Sequence, residues 1–488
     1  MRDEAKPLLL RGGLVIDGTG APARRADLLV AGGRIAAIGG IGALPPGCET
    51  FDAEGLAVSP GFIDAHSHDD GAVLSDEAML PKIAQGVTTV VVGNCGIAFP
   101  PLLPGGVEGR AVPPPLNLLG GRANFAYGSH AAYLAELRSR PRPVDAVALC
   151  GHSALRVALC ADWRRPASPA EIGAMRDSVA EAMLAGCAGL SSGLAYPTAR
   201  AATGSETAAL AAAAVAAAGE RGAPGGAVMA LHLRDEYGGV WEALDEAFAI
   251  ARDSGAFLVL SHQKVAGPGN RGRSGELLER ITRASRTIPL ALDCYPYEAG
   301  STILEAASAR QSRRVLVTWS EPRPELAGRS LEEAGEALGL DPRAELEALV
   351  EALSPAGAAY FHMDEADVEA ILSHPLCMLG SDGLPNDRHP HPRLHGAFAR
   401  FLGVYVRERR LVGLEEAVRK MTSLPAAVFG LADRGLLRAG ARADIAVWDP
   451  ARVADRANWE EPRRLAEGFE LVLSAGRTTW TGTAPKND

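Results

Sequence analysis

The chain has 488 residues, enough for one large domain with a smaller companion or for two or three of ordinary size. A hydrophobic fraction of 47% and a charged fraction of 22% describe an ordinary globular protein, while the net charge of −10 (pI about 5.7) argues against a nucleic-acid or anionic-membrane surface. No stretch holds the roughly 18 uninterrupted apolar residues of a membrane span, the N-terminal "MRDEAKPLLLRGGLVIDG" lacks a signal-peptide core, and seven scattered cysteines read as reduced thiols of a cytoplasmic protein.

In chain order, residues 8–58 read as short strands broken by Gly-Gly, Asp-Gly and Pro-Pro turns: "LLLRGGLVIDGTG", "ADLLVAGGRIAAIG", "ETFDAEGLAV". The same style returns in "GLLRAGARADIAVWDP" and "FELVLSAGRTTWTG". This predicts a small β-sandwich assembled from both termini, residues 1–58 and 431–488. The middle, 59–430, alternates instead. Eight apolar runs ("GFIDAHSH", "VTTVVVGNC", "VDAVALCGHS", "AGLSSGLAY", "AVMALHLRDE", "AFLVLSHQK", "IPLALDCYPY", "LCMLGSDG") are separated mostly by Ala/Glu/Leu/Arg-rich helical stretches. Eight such units define an α/β chain with a (β/α)8 TIM-like barrel. Insertions are expected near 99–124, which is rich in Pro and Gly, and near 305–360, after the seventh strand; long loops of this kind often wall a site.

Polar residues gather where these runs end. The first run ends in His66 and His68, the second in Asn94 and Cys95, the third in His152 and the fifth in His232. His262 and Lys264 end the sixth, Asp293, Tyr295 and Tyr297 the seventh, Ser381 and Asp382 the eighth. In a barrel the C-terminal strand ends converge on the active face. Imidazole and thiolate together suit zinc. His66, His68, Cys95, His232, His262 and Asp382 supply one ion, or two bridged by Cys95. Donors drawn from five strands are the style of a catalytic site with an open position for water, whose pKa zinc lowers to about 7. Asp382 is then the group that takes the proton from water and returns it to the leaving nitrogen. His152 has no assigned role, Asp69 and Asp70 read as polar residues of the loop leaving the first strand, and the remaining cysteines read as structural.

The motifs "GFIDAHSHDD", "GNCGI", "GHSALR", "HLRDE", "SHQK", "DCYPYEAGST", "GSDGLPND" and "HPRLHG" resemble, nearly end to end, the D-aminoacylases or N-acyl-D-amino-acid deacylases of the amidohydrolase superfamily. The resemblance implies metal-dependent hydrolysis of a small-molecule N-acyl-D-amino acid to a carboxylate and a free D-amino acid. It assigns Cys95, His232 and His262 to a tight zinc, His66 and His68 with Cys95 to a weaker second position, and Asp382 to acid/base chemistry. It places the substrate α-carboxylate on Lys264, Tyr295, Ser301 and Arg393. The family pattern has apolar residues after the seventh strand for the substrate side chain. Here the text is "STILEAASARQSRRV", with Arg310, Arg313 and Arg314, although Met363 keeps an apolar residue. An arginine facing the pocket would favour an acidic side chain; one facing solvent would say nothing. Two rivals stand beside this assignment. A cyclic-amide hydrolase of the hydantoinase or dihydroorotase kind is expected to bridge two metals with a carboxylated lysine, where Cys95 stands here. A non-catalytic scaffold is expected to have lost ligands.

Overall fold

The computed structural model describes residues 6–102, 112–223 and 225–482; residues 103–111 of the expected 99–124 insertion lie outside them. Eight parallel strands, Phe62–Asp64, Val87–Val92, Asp145–Gly151, Gly189–Gly193, Val228–His232, Phe257–Leu260, Leu290–Cys294 and Cys377–Leu379, are hydrogen-bonded in chain order. The ring closes where Ala65 N donates to Leu379 O (3.2 Å) and Ser67 bridges Gly383 in parallel register. The expected (β/α)8 barrel is therefore present. Its strands are buried on both faces, which is why runs such as "VTTVVV" are apolar or β-branched without alternation. The helices between them carry local start and stop signals. Helix Pro169–Ala185 opens on a Ser168/Glu171 capping box. Helix Gly204–Arg221 opens on Thr203 and stops at left-handed Gly222. No helix among the described residues is long and apolar enough to cross a membrane.

Both termini build the small β unit, as expected, and its strands join into one continuous mixed sheet. Leu8–Val15, Arg24–Ala31, Arg34–Gly39, Glu49–Asp52 and Ala57–Pro60 come from one end; Ile445–Trp448, Phe469–Ser474 and Arg477–Trp480 come from the other. The halves meet where Ala57–Pro60 pairs antiparallel with Ile445–Trp448. Leu8–Val15 runs parallel to Glu49–Asp52 along its first half and to Ala57–Pro60 along its last residues, with a register shift between Leu10 and Gly13. Such a shift bends a strand, and the bent sheet encloses its own core of Leu10, Val15, Leu28, Val58, Ile445 and Leu473.

Between the seventh and eighth barrel strands the chain folds into an antiparallel sheet, with Ala356–Phe361 between Ala299–Ile303 and Val315–Ser320. Helices Leu331–Leu338 and Leu346–Leu353 cover it, and Leu304, Val317, Leu349, Leu353 and Tyr360 form a separate core. The excursion expected at 305–360 is thus a folded layer whose first strand starts earlier, at Ala299, and carries Ser301 to the barrel mouth.

Candidate active site

The second strand ends in a turn that only its glycines permit. Gly93 has φ +78°, and a Cβ there would lie 2.3 Å from Leu149 O. Asn94 Nδ2 donates to Val91 O at 2.9 Å and pins the turn. The backbone of Cys95 then takes φ +55°, with His262 at φ +33° and Asp382 at φ +50°. Only two other non-glycine residues among those described, Arg410 and Ala475, have positive φ. Left-handed backbone at a side-chain-bearing residue costs of order 1–3 kcal/mol and collects at functional sites.

These turns bring the donors together. Cys95 Sγ lies 3.3 Å from His66 Nε2 and 3.3 Å from His262 Nε2, and His262 Nε2 lies 3.0 Å from His232 Nδ1. Asp382 Oδ1 is 3.3 Å from His68 Nε2 and 3.6 Å from His66 Nε2. Three overlapping ligand sets result: His66–Cys95–His262, His66–His68–Asp382 and His232–Glu236–His262. Cys95 stands between His66 and His262, and His66 belongs to two of the sets. All six residues predicted as metal-site groups are thus assembled, although their grouping does not separate cleanly into the expected tight and weak positions.

The donor chemistry fits zinc. A tetrahedral ion with ligands at about 2.0–2.3 Å holds its donor atoms about 3.3–3.6 Å apart, close to the separations seen. The charge states fit too. Burial opposes ionisation of Cys95, yet His66 and His262 hold its thiol well below the usual range. Against burial, Asp293 and Cys95 raise His66 well above the imidazole value, and hydrogen bonds to Asp382 and Cys95 raise His68 to about 9. Arg393 and His68 likewise hold the buried Asp382 well below the carboxylate range. Anionic donors surrounded by imidazoles drawn toward extra protons are the signature of a place where a cation belongs, since metal binding displaces protons from its ligands.

The residues assigned to the substrate carboxylate gather around one of their number, Tyr295. The Arg393 guanidinium sits 4.5 Å over the Tyr295 ring and Lys264 Nζ lies 5.9 Å from it. Arg393 Nη2 donates to Ser301 O at 3.1 Å, and its Nη1 lies 2.9 Å from Asp382 Oδ2. Tyr295 Oη, Ser301 Oγ and Arg393 Nε are buried without hydrogen-bond partners. Unsatisfied buried polar groups are costly, and these three stand on residues that neighbour one another beside the cavity. Lys264 is engaged with Glu236 Oε1 and His262 Nδ1, at 2.7 Å each.

Several groups lay outside the sequence assignments. Asp293 Oδ1 accepts from His262 N at 2.8 Å and lies 3.2 Å from His66 Nδ1, fixing the backbone of one histidine and the ring of the other. Its place at the seventh strand end was a visible signal without an assigned role. Glu236 lies 3.1 Å from His262 Nδ1 and is held well below the carboxylate range, against burial, by Lys264, His232 and His262. It stands four residues after His232, and that spacing was the available hint. Lys82, fully buried, donates to Asp64 and Ser381 at 2.6 Å each and lies 3.2 Å from Asp69. Asp69 and Asp70 are themselves buried. They are loop residues facing inward.

A cavity of ≈ 370 Å³ opens onto this assembly, lined by His232, His262, Lys264, Tyr295, Ser301 and Asp382 among others. The chain belongs to the amidohydrolase family, whose model matches residues 49–288 and 328–480. Within that family its similarity falls among deacylases. It is 46% identical to an N-acyl-D-aspartate deacylase of Alcaligenes xylosoxydans xylosoxydans, over 97% of this chain and 92% of that one. A D-aminoacylase structure bearing on the binuclear metal centre of that enzyme superposes with a TM-score of 0.91 at 44% identity, covering 99% and 98% of the two chains. An N-acyl-D-glutamate deacylase from Bordetella bronchiseptica, solved with zinc and a phosphonate mimic of the tetrahedral intermediate, also superposes with a TM-score of 0.91, at 43% identity and 99% and 97% coverage.

Proposed function

We propose that the protein is a zinc-dependent N-acyl-D-amino-acid deacylase, hydrolysing a linear amide to a carboxylate and a free D-amino acid. The observation that carries this reading is the convergence of Cys95, His66, His68, His232, His262 and Asp382 beside a cluster of unsatisfied anion-binding groups. Cys95, His232 and His262 hold the tight zinc, and His66 and His68 with Cys95 offer a second, weaker position. A zinc ion held by these residues would supply a Lewis acid and lower the pKa of water to near neutrality. The chain's own residues do the rest. Asp382 is kept ionised by Arg393 at its Oδ2, so its Oδ1, on the side of His68 and His66, stands as the base that takes the proton of the attacking water and hands it to the departing nitrogen. Arg393, Lys264, Tyr295 and Ser301 fix the α-carboxylate, and with it the distance from the scissile bond to Asp382. Residues 59–430 form the catalytic unit and the two termini its supporting sheet. Seven free cysteines, six of them buried, support a reducing, cytoplasmic setting.

The cyclic-amide reading finds no support in the bridging position, because Cys95 stands between the imidazoles and Lys264 is engaged with Glu236. Purified enzyme is expected to carry zinc and to hydrolyse N-acetyl-D-amino acids but not their L counterparts. Metal analysis and a paired D/L substrate panel check this; turnover confined to the L series would refute the stereochemical part.

A further inference from the structure

The part of the cavity wall next to Tyr295 has no place in the reaction described above. Gly300 has no side chain there. A Cβ on it would lie 3.0 Å from Tyr295 Oη and 3.1 Å from His362 Nε2, so these two polar atoms share one patch of wall. A substrate anchored by its α-carboxylate at Tyr295 has its Cα, and the root of its side chain, beside His362. The His362 ring is fixed by Tyr237 Oη at 2.8 Å from Nδ1, while Nε2 is buried with no partner. Burial pushes this imidazole down to about 3, so it enters the wall neutral. Ser308 continues the wall outward and the exposed Gln311 closes it toward solvent.

The arginines around this wall are committed elsewhere. Arg200 donates to Ala195 O at 2.7 Å and lies 3.6 Å from Glu305. Arg234 grips Glu246 through two contacts of 2.8 Å. Arg313, in the segment where the sequence left the question open, pairs with Glu298 at 2.5 Å and donates to Met363 O at 2.6 Å. Arg310 pairs with Glu347, and Arg314 lies over the Phe361 ring at 5.1 Å. A side-chain carboxylate at this wall would lose water without gaining a cation. A carboxamide would instead meet a neutral imidazole, a hydroxyl and, at the mouth, a second carboxamide, which together offer donors and acceptors.

We propose, on the deacylase reading above, that the wall of His362, Ser308 and Gln311 selects N-acyl-D-amino acids with neutral, hydrogen-bonding side chains, D-asparagine and D-glutamine foremost, over D-aspartate and D-glutamate. Proteins named for both acidic substrates resemble this chain about equally, so overall similarity does not decide the point. The test is kcat/KM of the zinc-loaded enzyme on N-acetyl derivatives of these four amino acids at neutral pH. Each amide is expected to exceed its acid by about 10-fold or more, a gap typical of a site whose polar groups match one partner and not the other. The Asn/Asp ratio is expected to be the larger, because the shorter side chain ends at the buried His362 and the longer one reaches the solvated mouth. An acid turned over as fast as its amide in either pair overturns the proposal. A second measurement uses Gln311→Arg, an exposed position whose replacement leaves the core untouched. It is expected to raise D-glutamate relative to D-glutamine by about 10-fold, and an unchanged ratio also overturns it. Acids ahead of amides would leave deacylation itself standing, whereas no turnover of any D derivative would remove the deacylase reading and this inference together.

Discussion

Two buried histidine clusters lie a few residues apart in this barrel, and they are built on opposite principles. Around Cys95 the groups are not matched as complements: imidazole nitrogen meets imidazole nitrogen at 3.0 Å, and the thiol lies 3.3 Å from one of those nitrogens and 3.3 Å from a third. Around His152 every group meets its complement. His152 Nδ1 pairs with Ser192 Oγ at 2.9 Å and Nε2 with Glu206 at 3.1 Å. Arg156, one helical turn on, binds Glu206 and three backbone carbonyls, those of Thr198, Trp163 and Arg165. Burial outweighs Glu206 and holds the His152 ring below the usual imidazole value, whereas His66 and His68 are raised. A buried histidine whose two nitrogens are both satisfied by protein is structural. One whose nitrogen faces another donor is waiting for a ligand. His152, whose role the sequence left open, is held on both nitrogens by Ser192 and Glu206 as part of the scaffold.

The largest effect that would break this contrast lies on the metal side. Asp382→Ala removes the proposed proton carrier while leaving the Cys95–His262 contact in place. Turnover is expected to fall about 10³-fold or more with zinc content retained. Kinetics paired with elemental analysis check it, and a variant that keeps wild-type turnover would end the assignment of Asp382 as base.

How much of this was legible in advance follows from the same contrast. The eight strand ends were visible because parallel strands are continuous apolar runs and their polar residues stand out at the end of each. "GNCG" and "GSDG" flank Cys95 and Asp382 with glycine, and both residues stand at positive φ. Glu236 left only the hint of its spacing from His232, and Lys82 left none. Their roles depend on partners far away in sequence, Glu236 on Lys264 and Lys82 on Ser381, and no periodicity encodes a buried ion pair. The orientation of Arg310, Arg313 and Arg314 was equally hidden, because it is set by Glu347, Glu298 and the Phe361 ring, which only the fold brings to them. The continuity of the small sheet was also beyond pattern alone, since one strand, Leu8–Val15, serves two parallel partners in turn.

A smaller effect is expected on the scaffold side, and it has a pH signature. Against burial, His152 and Arg156 hold Glu206 down to about 2, below its ordinary value near 4.5. A depressed acid contributes stability that is fully present above the ordinary value and is lost as pH falls toward the folded one. Glu206→Gln is therefore expected to cost roughly 3 kcal/mol at neutral pH. The gap to wild type should shrink as pH drops from about 4.5 toward 2. Chemical denaturation of both proteins across that range measures it. Zinc content should stay unchanged, and loss of zinc in this variant would mean that the two clusters are one.

The finest division between the clusters is a single peptide bond. Ser191 and Ser192 are neighbours on the fourth barrel strand and serve different masters. Ser191 Oγ accepts from Gly96 N at 2.9 Å and donates to Gly93 O, bracing the turn that aims Cys95. Ser192 Oγ binds only on the His152 side. Each alanine variant removes one buried hydroxyl and is expected to lower stability by about 1 kcal/mol. They should part in metal affinity. Ser191→Ala loosens the Cys95 turn and is expected to weaken zinc binding about 10-fold, the usual cost of losing support behind a ligand. Ser192→Ala should leave it unchanged. Competition with a calibrated chelator resolves a difference of that size, and equal zinc affinities in the two variants would show that the turn holds its left-handed shape without Ser191.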